Sequence, residues 1–123
     1  MKKILVVEDE DEIGKILVTG LKKMGFEVEV ADCGESGLHK LKHAIPDLII
    51  LDLMIPCLSG EDVCKAIRED MNAEINQIPI IMLTAKDNVS DRIVGRVIGA
   101  NVYLTKPFDW DNLVSEIHRF CEV

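Results

Sequence analysis

The residues with chemical potential in this 123-residue chain are acids that end apolar runs, joined by one hydroxyl and one amine. Leu48 to Leu51 (LIIL) stops at Asp52, and Ile4 to Val7 (ILVV) stops at Glu8 and Asp9. Ile78 to Leu83 stops at Thr84, and Val102 to Leu104 is followed by Thr105, Lys106 and Pro107. A carboxylate at the end of a rigid strand, yet open to solvent, suits a metal ligand, a nucleophile or both. Three such anions at close range need a cation. Hard oxygen donors that leave room for water and phosphate oxygens suit Mg²⁺ better than zinc. A metal by itself gives Thr84 and Lys106 no task. A phosphoryl group on Asp52 would, with its oxygens shared among Mg²⁺, the Lys106 ammonium and the Thr84 hydroxyl. Taken singly, each residue has a bland alternative: Asp52 caps a turn, Asp9 caps a helix, Thr84 merely ends a strand and Lys106 is solvated.

The elements that must position these residues are legible from periodicity. Ile13, Ile16, Leu17, Leu21 and Met24 recur at helical spacing, so residues 10–24 read as an amphipathic helix that stops at Gly25. Acids complement the positive end of a helix dipole, and Glu10 to Glu12 read as no more than that well-capped start. Phe26 to Ala31 alternates as a half-exposed strand at or near a sheet edge. Gly34 to Lys42 reads as a short helix, and Pro46-Asp47 breaks it and opens the strand ending at Asp52. Ser59 is a plausible cap for a helix carrying Val63, Ala66, Ile67 and Met71, after which Met71 to Gln77 reads as polar connection. Asp87 to Gly99 reads as a helix weakened by Gly95 and β-branched residues. Asp109 to Cys121 closes the chain with Leu113, Val114, Ile117 and Phe120 on one face.

Five strands alternating with five helices predict an α/β fold, a doubly wound parallel five-stranded sheet of flavodoxin-like type, (βα)5, with order 2-1-3-4-5. In that order strands one and three are neighbours. Glu8, Asp9 and Asp52 then meet at the topological switch point, with Thr84 and Lys106 on the same edge.

Composition narrows the function classes. Almost half the residues are apolar and evenly spread, with no repeat and no linker-like tract, which predicts one domain over residues 1–123. A formal net charge of −8 repels a phosphate backbone, so direct nucleic-acid binding by this domain is not expected. The apolar runs fall far short of the ~20 residues that cross a bilayer, and Met1-Lys2-Lys3 leads straight into a strand, so a cytoplasmic, membrane-free protein is expected. The four cysteines, Cys33, Cys57, Cys64 and Cys121, have neither paired nor metal-type spacing and read as free thiols. His39 and His43 have metal-ligand spacing on a helix but lack a third ligand, and read as a solvated face.

The blocks VVEDE, LDLMIPCLSG, MLTA and YLTKPF, in that order and spacing over Lys2 to Cys121, resemble the receiver domain of two-component response regulators. The resemblance implies a signalling phosphoacceptor rather than an enzyme. It also implies that Glu8 and Asp9 help bind Mg²⁺, that Asp52 accepts the phosphoryl group and that Met54 offers its backbone carbonyl to the metal. By the same resemblance Thr84 would be the switch hydroxyl, Tyr103 the rotating aromatic and Lys106 the phosphate-binding ammonium, aimed by a cis Lys106-Pro107 bond. The implied partners are a histidine kinase or histidine phosphotransfer protein as donor, and a downstream protein effector. Glu8 stands where many members have Asp. GANVY at Gly99 to Tyr103 stands where receivers of the winged-helix DNA-binding class usually carry GADDY, so Asn101 and Val102 remove two acids from the surface used for charged dimer contacts.

Val123 lies just past the last helix, which leaves two readings: a single-domain receiver, or a receiver cut from a longer DNA-binding regulator. A Mg²⁺-dependent aspartyl phosphatase is the rival from another class. It resembles Asp-x-Asp, whereas Met54 occupies the second position here. A flavodoxin-type nucleotide or flavin binder is disfavoured because no G-x-G-x-x-G or P-loop is present.

Overall fold

The computed structural model describes residues 2–53, 55–84, 99–106 and 108–121, the Thr84 side chain excepted. Residues 87–98 of the helix expected over 87–99, the Met54 carbonyl and the Lys106-Pro107 bond lie outside the described residues.

Apolar runs of four to six residues become short strands, and the first three strands each lead into a helix that returns the chain to the same starting edge. In chain order these are β1 (Lys3–Val7), α1 (Asp11–Lys23), β2 (Glu27–Ala31), α2 (Gly34–His43), β3 (Leu48–Asp52), α3 (Gly60–Arg68), α4 (Ala73–Asn76), β4 (Ile80–Thr84), β5 (Val102–Thr105) and α5 (Trp110–Phe120). The sheet is parallel throughout, with order β2-β1-β3-β4-β5. Both the doubly wound fold and the expected order are therefore observed. β2 is an edge strand, as its alternation predicts.

Strand alternation splits the core into two layers. Leu5, Val7, Ile49, Leu51, Ile80 and Met82 face α2 and α3 and pack with Leu41, Val63 and Ile67. Ile4, Val6, Leu48, Ile50, Ile81 and Leu83 face the other way, onto Leu17 and Leu21 of α1 and Leu113 and Ile117 of α5. All five β3 residues are buried, as expected of a central strand covered on both faces.

Three local features differ from expectation. The helix expected to carry Met71 ends at Arg68, and Met71 lies beyond it, almost fully exposed. The stretch read as polar connection contains the single-turn helix α4, started by Asn72, whose Oδ1 accepts the Glu74 N–H at 2.9 Å. Its side chains carry too little apolar periodicity to announce a helix; the Asn cap and the buried Ile75 make it. β4 begins at Ile80 rather than Ile78, because Pro79 has no N–H to give the ladder.

The edge opposite the acids is tied by one side chain. Arg68, at the end of α3, donates from Nε to the Gly99 carbonyl at 2.9 Å and from Nη1 to the carbonyls of Asn76 and Ile78 at 2.9 and 2.7 Å. Its Nη2 donates to Asn101 Oδ1 at 2.9 Å, and that oxygen also accepts the Ile80 N–H at 2.8 Å. Asn101, noted above as a lost acid, is thus an internal fastener at the start of β4 and β5.

Candidate functional site

Register brings the acids together before any side chain is considered. Val7 pairs with Leu51, so the next residues along, Glu8 and Asp52, emerge side by side. Asp52 pairs with Leu83, and Thr84 with Thr105, which delivers Lys106 to the same edge one strand further on. The backbone under Asp52 is pressed from behind by the first residue of α3. A Cβ on Gly60 would lie 2.5 Å from the Asp52 carbonyl oxygen and 2.7 Å from Leu53 Cα. Only glycine fits there, and its N–H donates to the Leu53 carbonyl at 2.9 Å.

Lys106 is the centre of the charge arrangement. Its Nζ lies 3.0 Å from Asp52 Oδ2, 2.8 Å from Glu8 Oε1 and 3.7 Å from Glu10 Oε1. The side chains of Lys106, Glu8 and Asp52 are 9, 1 and 4% exposed, so water screens these contacts poorly. Burial alone pushes the Lys106 ammonium down, but its hydrogen bonds to Glu8 and Asp52 outweigh that and its pKa is raised. Glu8 moves the other way from an ordinary carboxylate. Burial first, and then a hydrogen bond with Asp52, lift it to about 7 against the pull of Lys106. One cation does not neutralise the cluster, so Glu8 retains a proton that it would not hold in water.

The structure unites Glu8, Asp52 and Lys106 as the sequence predicts. Carboxylate oxygens of Glu8, Glu10 and Asp52 lie within 4.8 Å of one another, a spacing that a hard divalent ion bridges. Glu10, read above as helix capping only, is therefore a correction. It is the N-cap residue of α1 but makes no side-chain cap bond, and its carboxylate turns to Lys106 instead. The cue was present in the run of acids after β1. The periodic reading assigned that run to the helix dipole. Asp9, expected in the carboxylate cluster with Glu8 and Asp52, is exposed and is not among the acids whose oxygens converge. Thr84 ends β4 on the same edge, and Tyr103 sits in β5, half-buried against the α2–α3 core layer. His39 and His43 stack on each other, ring centroids 5.5 Å apart.

Comparison with known proteins agrees with this geometry. The family profile described as the response regulator receiver domain matches residues 4–118. The transcriptional regulatory protein PcoR of Escherichia coli is 42% identical over 117 residues, covering 95% of this chain and 50% of its own length. The alkaline phosphatase synthesis transcriptional regulatory protein PhoP of Bacillus subtilis is 46% identical over 107 residues, covering 87% and 43%. The chain thus spans about half the length of the curated relatives it matches. Among solved structures, the chemotaxis response regulator CheY4 of Vibrio cholerae superposes with a TM-score of 0.89 at 33% identity, covering 98% of each chain. The receiver domain of the sensor histidine kinase PA1611 of Pseudomonas aeruginosa, solved with a magnesium ion coordinated in its active-site cleft, gives 0.87 at 29% identity, covering 97% of this chain and 96% of its own. With family, relatives, topology and acidic edge in agreement, the chain belongs to the receiver domains of two-component response regulators.

Proposed function

We propose that residues 1–123 form one receiver unit whose Asp52 accepts a phosphoryl group from a phosphohistidine on a histidine kinase or histidine phosphotransfer protein. The observation that carries this reading is the buried Lys106 ammonium, 3.0 Å from the oxygen of a strand-end carboxylate. An Asp52 oxygen attacks phosphorus in line, the O–P bond forms as the P–N bond breaks, and the donor imidazole leaves and regains a proton from solvent. Lys106 exchanges its carboxylate partners for a phosphoryl oxygen and holds part of the developing charge. The converging acids Glu8, Glu10 and Asp52 fit Mg²⁺ and would hold it, with Asp9 and the Met54 carbonyl added by the family resemblance. When bound, Mg²⁺ supplies divalent charge that neutralises the clustered carboxylates and the incoming phosphoryl oxygens.

Output follows from added negative charge at an already acidic edge. Thr84 turns to the phosphoryl group, Tyr103 repositions, and the altered face around β4 and β5 engages a protein effector. The net charge of −8 supports a protein rather than nucleic acid as the immediate partner, and among the described residues no helix is long and apolar enough to cross a membrane. The role is signalling by a cytoplasmic phosphoacceptor rather than turnover of an external substrate.

Incubation with acetyl phosphate and Mg²⁺, read by intact mass, tests the assignment. The chain gains one phosphoryl group, and Asp52→Asn does not. Undiminished labelling of Asp52→Asn overturns the acceptor assignment.

A further inference from the structure

Two of the four thiols are brought together by the fold although 24 positions separate them in the chain. Cys33 is the N-cap of α2, with its Sγ accepting the Ser36 N–H at 3.5 Å. Cys57 lies in the loop between β3 and α3, exposed, with φ of +73°. The two segments are in direct contact. The Gly34 N–H donates to the Pro56 carbonyl at 3.4 Å, and a Cβ on Gly34 would lie 2.8 Å from Leu58 Cβ and 2.9 Å from its carbonyl oxygen. The residues flanking Cys33 and Cys57 therefore touch, which brings the two thiols to the same place on the surface. The other thiols, Cys64 and Cys121, are buried in opposite core layers.

We infer that Cys33 and Cys57 form a dithiol site that a neutral hydroperoxide oxidises reversibly to an intramolecular disulfide, tying the start of α2 to the loop that follows the acceptor strand. The first sulfur takes one oxygen from the peroxide to become a sulfenic acid, and the peroxide O–O bond breaks to release an alcohol or water. The second sulfur then attacks the first, the S–O bond breaks, and water leaves. Two thiols and one hydroperoxide thus give one disulfide, one water and one alcohol or second water, with two electrons passing from sulfur to oxygen. A small dithiol reductant returns both thiols by exchange.

The surroundings select the oxidant. Cys33 lifts the Cys57 thiol above its ordinary pKa, and Glu35 and Asp32 add to the shift, so reaction at Cys57 is slow at neutral pH and quickens as pH rises. Those same acids repel anionic oxidants, so an uncharged peroxide fits the site better than oxidised glutathione.

Reduced protein is treated with hydrogen peroxide or oxidised glutathione, remaining thiols are alkylated, and intact mass is followed by non-reducing peptide mapping. With peroxide, two thiols are lost with the mass of two hydrogens, and the linked peptides carry Cys33 and Cys57. Dithiothreitol reverses the change, and oxidised glutathione reacts several-fold more slowly. Cys33→Ser and Cys57→Ser each leave a lone sulfur that dimedone traps as sulfenic acid. Serine also caps α2 in place of Cys33, so both variants fold. The oxidised wild type melts roughly 5–10 °C higher than the reduced form, because a closed loop restricts the unfolded chain. Four alkylatable thiols after peroxide, a bridge that includes Cys64 or Cys121, or a bridge between two copies overturns the inference. None of these readouts depends on whether Asp52 accepts phosphate.

Discussion

Mg²⁺ binding should be coupled to a proton near neutrality, and the coupling can be worked from the acidic edge. In the metal-free protein, burial and the Asp52 contact hold the Glu8 pKa at about 7. A divalent ion takes the carboxylate form, so the proton must leave first. The apparent dissociation constant is then multiplied by one plus the ratio of protonated to ionised Glu8, roughly 11 at pH 6 and roughly 1.1 at pH 8. Affinity should therefore weaken about tenfold over that interval, or about 1.4 kcal/mol. Isothermal titration in two buffers of different ionisation enthalpy counts the protons directly, with about 0.9 released per ion at pH 6 and about 0.1 at pH 8. Asp52→Asn removes the neighbour whose hydrogen bond and charge both lift Glu8, so proton release at pH 6 should fall along with affinity. Stability carries the opposite sign. A carboxyl raised from 4.5 to about 7 stabilises the fold fully below pH 4.5, and that contribution is lost as pH rises through 7. Metal-free protein should thus soften over that window and recover with Mg²⁺. Affinity that stays flat from about pH 6 to 8, with no proton released, would refute the coupling.

Other perturbations separate the roles of single residues. Lys106→Met strands two buried carboxylates and should cost roughly 3 kcal/mol at pH 8 without Mg²⁺, and clearly less at pH 5, where Glu8 is protonated; equal urea midpoint shifts at the two pH values would contradict this. Gly60→Ala forces a methyl group to 2.5 Å from the Asp52 carbonyl oxygen. It should destabilise by about 1–3 kcal/mol and slow labelling by acetyl phosphate, as read by intact mass over time. Arg68→Ala leaves three backbone carbonyls and Asn101 without their donor and should lower stability by about 2–4 kcal/mol in urea, with Arg68→Lys recovering little because an ammonium cannot reproduce the planar fork.

The sheet and its order were legible because apolar runs of strand length alternate with one-faced helices, and that pattern admits few topologies. Glu8, Asp52 and Lys106 were legible for the same reason: each follows directly on a strand, and parallel register delivers strand ends to one edge. Glu10 was not, since the side chain of a residue at a helix start can serve the dipole or turn to a neighbour, and sequence does not say which. The clasp by Arg68 was not legible either. Its partners are mostly main-chain carbonyls, which leave no mark in a sequence. The Cys33–Cys57 contact was hidden as well, because it depends on how two loops lean together rather than on spacing along the chain.

The clasp made by Arg68 sets a mechanical boundary condition. It pins β4 and β5 at their roots, where Asn101 fastens one strand to the other, while the Lys106 end of β5 is governed by charge. Strands anchored at one end and loaded at the other behave as cantilevers: they can bend or twist at the tip, but they cannot slide past each other in register. A change of charge at Asp52 should therefore act as tilt along this flank of the sheet, with displacement expected to grow toward the acidic edge and to be smallest at the guanidinium.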